Sequence, residues 1–178
     1  MRDNAYDRLV PPLVAKIRQE IFAWRQSDYQ GASDTSRDLL KHWFRTEHLI
    51  ENADGTLAEF RYCFAQREAV ETVLWLYEVR KSRDKFDLLR FDSSDAVSSG
   101  MFAEDWPRYV LKMATGSGKT SLMALIITWQ SLNAVHYPKD ARYSKAVLVI
   151  TPGLTVKSRL QVLYPGHDKN VYDEFRLC

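Results

Sequence analysis

A glycine-rich heptapeptide, Ala114 to Thr120, lies between two apolar segments of the chain. Tyr109 to Met113 precedes it, and Leu122 to Ile127 follows it. A strand, a glycine-rich turn and a helix, with Gly-Lys-Thr at the turn, form the pattern of a loop that binds phosphates. The full pattern also has a glycine five residues before Gly118, where this chain carries Met113. We therefore expect a phosphate-binding loop; the alternative is an ordinary glycine-rich turn whose lysine is solvated.

The residue types of this loop suit the chemistry of a triphosphate. Gly116 and Gly118 lack a Cβ, so backbone N–H groups can approach the phosphates closely. A helix that begins at Lys119 directs unpaired N–H groups and the positive end of its dipole towards them. The Lys119 ammonium can contact the β- and γ-phosphates, and the Thr120 hydroxyl can ligate a bridging Mg²⁺. The predicted nucleotide-binding residues are Thr115, Gly116, Ser117, Gly118, Lys119 and Thr120.

Composition narrows the class of protein. A chain of 178 residues with 46% hydrophobic side chains can bury a core of its own. The formal charge of +2 is too small to indicate a nucleic-acid partner by itself. No apolar run reaches the ~20 residues that a membrane-spanning helix needs. The two cysteines, Cys63 and Cys178, do not make a disulfide framework, which favours a reducing cytoplasm. Cys63 lies in an aromatic segment and is interpreted as a small buried hydrophobe, and the histidines lack metal-ligand spacing.

Hydrophobic periodicity predicts an α/β architecture. Residues 108–113 and 145–151 are apolar enough for buried parallel strands on either side of the helix that follows the loop. Asp34 is a plausible N-cap for the second helix. The segment from Glu59 to Phe64 is expected to be extended. Helices are predicted at 10–24, 34–46, 66–80, 119–134 and 154–163.

Four segments resemble parts of superfamily 2 (DEAD/DEAH-type) helicases. Lys112 to Thr120 is similar to motif I of the Res subunits of type III restriction enzymes. Phe64 to Thr72 resembles the region before motif I, and Val149 to Thr155 falls where motif Ia belongs. Thr35 to Phe44 is similar to the N-terminal extension of this subgroup. Motif I is the most specific of the four, and together the segments span most of the chain.

The resemblance implies a P-loop NTPase fold in two parts. Residues 1–58 would be an N-terminal helical extension, and 59–178 an incomplete RecA-like ATP-binding domain with a parallel sheet. Lys119 would be the catalytic lysine and Thr120 the Mg²⁺ ligand, while Gln66 would read adenine through its carboxamide. The alternative for Gln66 is a solvent-facing glutamine at a helix start.

The resemblance also implies contacts outside the nucleotide site. Those to the nucleic-acid backbone would come from Thr151, Pro152, Gly153, Lys157 and Arg159. A solvated helix face explains Lys157 and Arg159 equally well. The implied partners are ATP, Mg²⁺, double-stranded DNA and a modification subunit, with no membrane.

ATP hydrolysis in this family needs an Asp-Glu pair at the end of a later buried strand. The nearest candidate, Asp173-Glu174, follows a polar segment and is interpreted as a surface pair. The chain is therefore expected to be the N-terminal portion of a longer ATP-dependent helicase or translocase, with strand edges and apolar faces exposed in residues 108–151. Two alternatives stay open: a non-catalytic nucleotide-binding fragment or remnant, and a small P-loop kinase.

Overall fold

The computed structural model describes residues 12–52, 54–82, 85–92 and 109–178. These residues fall into two compact units, one within Met1–Ala32 and Glu71–Leu111, the other within Ser33–Val70 and Lys112–Cys178. The predicted boundary at residue 58 stays a prediction. The helices and strands are α1 (Pro12–Gln26), α2 (Asp34–Arg45), β1 (His48–Glu51), β2 (Leu57–Phe60), α3 (Phe64–Leu74), α4 (Lys85–Leu89), α5 (Lys119–His136), α6 (Leu154–Arg159) and α7 (Val171–Glu174).

The predicted helices are confirmed in the described residues, with differences at their ends. Helix α2 is capped by Ser33, whose hydroxyl accepts a hydrogen bond from the Ser36 amide, so the prediction of Asp34 as the N-cap was wrong by one residue. The predicted helix at 66–80 ends as an α-helix at Leu74 and continues as a π-helical turn, Trp75–Val79. Residues 10 and 11 of the first predicted helix lie outside the described part of the chain.

Strands β1 and β2 form an antiparallel hairpin that leads into α3. His48 pairs with Phe60, and Glu51 pairs with Leu57. The Asn52 amide donates to the Thr56 carbonyl at 2.8 Å, which closes the turn. The prediction of an extended segment is confirmed for its first two residues, since β2 ends at Phe60.

The parallel sheet expected around the phosphate loop is not formed in the described residues. Neither 109–113 nor 145–151 is a strand, and the sheet that the described residues do form is the β1–β2 hairpin. A parallel strand needs neighbours on its edges, and these two segments have none among the residues that the structure describes. The prediction of exposed apolar faces is confirmed: Val110, Leu148 and Ile150 are 89%, 82% and 84% exposed.

Helices α2 and α5 pack through a buried polar cluster. The Ser36 hydroxyl accepts hydrogen bonds from Trp129 Nε1 and from Asn133 Nδ2, both at 3.0 Å. Ser33 Oγ donates to Asn133 Oδ1 at 2.6 Å. Both Ser36 and Asn133 are fully buried, so each hydrogen bond satisfies a group that water cannot reach. The cluster fixes the C-terminal half of α5 against α2.

The other unit is organised around a buried carboxylate. Glu71 is fully buried; it accepts a bidentate contact from Arg25 and a 2.8 Å hydrogen bond from the Tyr29 hydroxyl. Pairing of this kind offsets the cost of removing a charge from water.

None of the helices in the described residues is both long and apolar enough to cross a membrane.

Candidate nucleotide-binding site

The glycine-rich loop ends where α5 begins, and two left-handed glycines shape it. Gly116 has φ +79°, and Gly118, the N-cap of α5, has φ +76°. Residues with a Cβ rarely adopt this conformation, so the glycines explain why the turn can form here. The first hydrogen bond of the helix runs from the Leu122 amide to the Gly118 carbonyl at 3.0 Å. The amides of residues 119–121 therefore have no partner within the helix and are available to an anion.

Two side chains converge on one carbonyl at the start of the loop. Lys119 Nζ and Ser117 Oγ each donate to the Ala114 carbonyl at 2.7 Å. Lys119 is exposed, as are Thr115 and Gly116. The lysine ammonium thus lies over its own loop, where a phosphate oxygen can replace the carbonyl as its acceptor.

Gln66, near the start of α3, hydrogen-bonds to the end of the loop at Gly118. It is only 6% exposed; its Oε1 accepts from the Cys63 amide at 2.8 Å and its Nε2 donates to the Gly118 carbonyl at 3.2 Å. The alternative of a solvent-facing glutamine is therefore wrong. A carboxamide has two lone pairs and two N–H groups, so one of each remains for an adenine edge. The predicted adenine role stays a prediction, but the structure brings Gln66 to the loop.

Cys63 is a residue of this site that the sequence interpretation missed. Its thiol is free and exposed, and Sγ lies 3.9 Å from the Ser117 carbonyl oxygen. The prediction of a buried hydrophobe was wrong because Tyr62 packs against Phe60 and Phe44 while Phe64 is itself 67% exposed, so neither covers the thiol. The sequence signal that could have placed Cys63 at this site was its position three residues before Gln66.

Thr120 is the candidate magnesium ligand. It is partly exposed, and within the described ranges its hydroxyl makes no hydrogen bond. The same residues hold no group of three or more acidic, histidine or cysteine side chains suited to a metal. Magnesium is often bound by one or two side chains together with the phosphates of its substrate, and a single hydroxyl beside the loop fits that mode.

The acid pair lies in a short helix rather than at the end of a strand. Asp173 and Glu174 are exposed in α7, and Asp173 Oδ2 accepts from Asn170 Nδ2 at 2.7 Å. The interpretation of a surface pair is confirmed by this exposure. Asp173 serves the start of α7, because Asn170 in turn caps that helix through Oδ1.

The predicted nucleic-acid residues lie just before α6 and along it, with Lys157 and Arg159 in its last turn. The helix begins after Gly153, whose carbonyl accepts from the Lys157 amide at 3.0 Å. Pro152, Lys157 and Arg159 are exposed, and Thr151 is half-buried. Among the described residues no hydrogen bond joins this segment to the glycine-rich loop. The segment can offer two cations and a hydroxyl to a phosphate backbone.

One comparison with known proteins found a match. The sequence model of a family described as type III restriction enzyme, res subunit, matches residues 59–174. The match covers well over half of the chain and includes Gln66, the glycine-rich loop and the start of α6. No curated protein and no solved structure matches the chain.

Proposed function

The chain belongs to the family of type III restriction enzyme Res subunits, and we propose that it binds ATP at residues 114–120 within an ATP-dependent DNA helicase or translocase. Membership of this family implies a P-loop NTPase fold. The observation that carries the proposal is the contact of Gln66 with Gly118, because it unites two predicted nucleotide residues that are 52 positions apart. An ordinary solvated turn would not need a buried side chain that hydrogen-bonds to its last residue.

The loop would bind the triphosphate through its backbone and one cation. The free amides at the start of α5 donate to phosphate oxygens, and Lys119 moves from the Ala114 carbonyl to the β- and γ-phosphates. Thr120 would hold Mg²⁺, which neutralises charge that develops on the phosphates during transfer. The remaining lone pair and N–H of Gln66 would pair with the adenine edge.

The segment from Thr151 to Arg159 would contact the DNA backbone. Its exposed Lys157 and Arg159 add positive charge, and such contacts position a strand without reading its sequence. Double-stranded DNA as the substrate and a modification subunit as the partner belong to the same proposal, since both come from the family.

Nucleotide titration of two lysine variants tests this proposal. Lys119→Ala should abolish ATP binding measured by calorimetry, whereas Lys112→Ala should bind as the parent chain does, because Lys112 is exposed just before the loop. DNA-stimulated ATP hydrolysis in the parent chain would support the motor. Binding without hydrolysis is expected of this chain under both hypotheses, because the Asp-Glu pair that hydrolysis needs is not supplied by Asp173-Glu174, and equal binding by both variants would contradict the site itself.

A further inference from the structure

A polar cavity lies beside the hairpin, within the same compact unit as the glycine-rich loop. It has a volume of about 310 Å³ and is lined by residues from the end of α2, from β2 and from the start of α3. The lining combines three arginines with aromatic rings: Arg45, Arg61, Arg67, Phe44, Phe60 and Tyr62. We call it the arginine–aromatic cavity. The volume falls at the lower end of the range for small-molecule sites.

The charges around this cavity favour an anion. One acidic side chain, Glu47, shares the lining with the three arginines. Arg61 is paired with Glu59, yet its side chain is 76% exposed. Arg67 lies over the Phe44 ring, with its guanidinium carbon 5.3 Å from the ring centroid. A guanidinium that stacks on a ring directs its N–H groups outward in its own plane, which is the geometry in which arginine binds phosphate.

The aromatic rings offer a surface for a flat group and one unused hydroxyl. Tyr62 makes edge contacts with Phe60 and Phe44, with centroids 4.9 and 5.8 Å apart. Its hydroxyl is buried and has no hydrogen-bond partner in the part of the chain that the structure describes. A buried hydroxyl is nearly always paired, so a bound group that supplies an acceptor would complete this one.

We propose that the arginine–aromatic cavity binds a nucleotide, an aromatic base with its phosphate, separately from the glycine-rich loop. The arginines would hold the phosphate, while the rings and the Tyr62 hydroxyl would receive the base. Aromatic and cationic side chains combined in this way bind single-stranded nucleic acid as well as free nucleotides. The cavity is therefore suited to a mononucleotide or to one unit of a single strand.

Two probes distinguish binding of a single strand from binding of a free mononucleotide. Fluorescein-labelled oligo(dT) of about ten nucleotides reports a strand by anisotropy, a length within the range of known single-strand sites. Deoxyadenosine monophosphate reports a free nucleotide by calorimetry, with inorganic phosphate as a competitor. Binding of either probe must survive in Lys119→Ala, which removes the loop lysine but leaves the cavity intact.

Three cavity variants and a matched control give the decisive pattern. Arg61→Gln and Arg67→Gln should each weaken binding about threefold to tenfold. Each should also lower the slope of log affinity against log salt for the strand by about 0.7. Tyr62→Phe should weaken binding without changing that slope, because it removes no charge. Arg37→Gln removes an arginine that is likewise paired with an acid, Asp34, but lies outside the cavity lining, so it should change nothing.

Several results would overturn the proposal. If neither probe binds, or if Arg37→Gln weakens binding as much as the cavity variants, the cavity is not a nucleotide site. Loss of binding in Lys119→Ala would make the cavity part of the loop site. Competition by inorganic phosphate as effective as by the mononucleotide would show that no base is recognised. Circular dichroism of every variant separates these outcomes from misfolding.

Discussion

Gln66 Nε2 donates a hydrogen bond to the carbonyl of Gly118 at 3.2 Å, across 52 positions of the chain. The same carbonyl accepts the first hydrogen bond of α5, from Leu122. A carbonyl oxygen has two lone pairs, so one atom ends the phosphate loop, starts the helix and anchors α3. The conformation of Gly118 is thereby fixed before any ligand arrives.

Alanine at the two loop glycines should have different effects on stability. Both have φ near +78° in the structure, so Gly116→Ala and Gly118→Ala should each cost roughly 1–2 kcal/mol of unfolding free energy. A Cβ at Gly116 meets nothing within 4 Å, whereas one at Gly118 would lie 2.1 Å from Gln66 Nε2. Gly118→Ala should therefore lose about 1 kcal/mol more through the hydrogen bonds of Gln66.

Urea denaturation of the two variants in a Gln66→Ala background provides the control. Without the glutamine, the two alanine substitutions should cost the same. If the two variants still differ in unfolding free energy in that background, the contact between Gln66 and Gly118 is not the cause of the difference.

ATP should protect Cys63 from thiol reagents. The exposed thiol lies 3.9 Å from the Ser117 carbonyl, so a nucleotide in the loop should slow its reaction with a maleimide several-fold. Mass spectrometry of a Cys178→Ser variant measures the rate at Cys63 alone. Protection should be absent in Lys119→Ala, and the rate at Cys178 in a Cys63→Ser variant should not respond to ATP. Equal protection of both thiols would contradict the local explanation.

Removal of the Ser36 hydroxyl should destabilise the unit that holds the loop. Ser36→Ala leaves Trp129 Nε1 and Asn133 Nδ2 without this acceptor in a fully buried position. The expected loss is about 1–3 kcal/mol of unfolding free energy, measured by chemical denaturation. Ser158→Ala, at an exposed position in α6, should change stability by less than about 0.5 kcal/mol. Similar losses for both variants would indicate that the buried cluster contributes little.

Tyr62→Phe should stabilise the chain, because it removes a buried hydroxyl that has no partner. The expected gain is roughly 1 kcal/mol in the free energy of unfolding. Burial also raises the pKa of Tyr62 above its ordinary value of 10.0, so the folded state holds this proton more tightly than the unfolded state. The free energy of unfolding is therefore unaffected by the titration of this group below about pH 10, and it falls as the pH rises towards the raised pKa.

Thermal unfolding between neutral and alkaline pH tests the sign of this effect. The parent chain should lose more stability above pH 10 than Tyr62→Phe does. Burial also raises the pKa of Tyr172, so the variant should keep part of the alkaline loss. A variant that is less stable than its parent at neutral pH would show that the hydroxyl has a favourable partner.

Local signals were sufficient to predict α1, α2, α3, α5, α6 and the loop, whereas α4 and α7 were not predicted. The Gly-Lys-Thr turn and the apolar residues that follow it determine where α5 begins, and the structure places its first residue at Lys119. The start of α2 was misplaced by one residue, because serine and aspartate are both good N-caps and Ser33 directly precedes Asp34.

Hydrophobic periodicity could not predict contacts between residues that lie far apart in the sequence. The apolar run 146–150 has the composition of a central strand, but a strand forms only when another strand pairs with it. The contact of Gln66 with Gly118 and the burial of Asn133 between α2 and α5 depend on residues 52 and about 100 positions away. Sequence reasoning placed these residues on the right elements without predicting their partners.

Helix α5 joins the buried Ser36–Asn133 cluster to the phosphate loop as one rigid rod. Asn133 lies 15 residues after Gly118, which places the cluster about 22 Å along the helix axis from the loop. A tilt of about 3° about the cluster would then displace the amides at the helix start by about 1 Å. An error of that size in the position of a catalytic group can lower the rate of a reaction about a hundredfold. The position of the loop amides relative to the phosphates therefore depends on a buried cluster at the far end of α5.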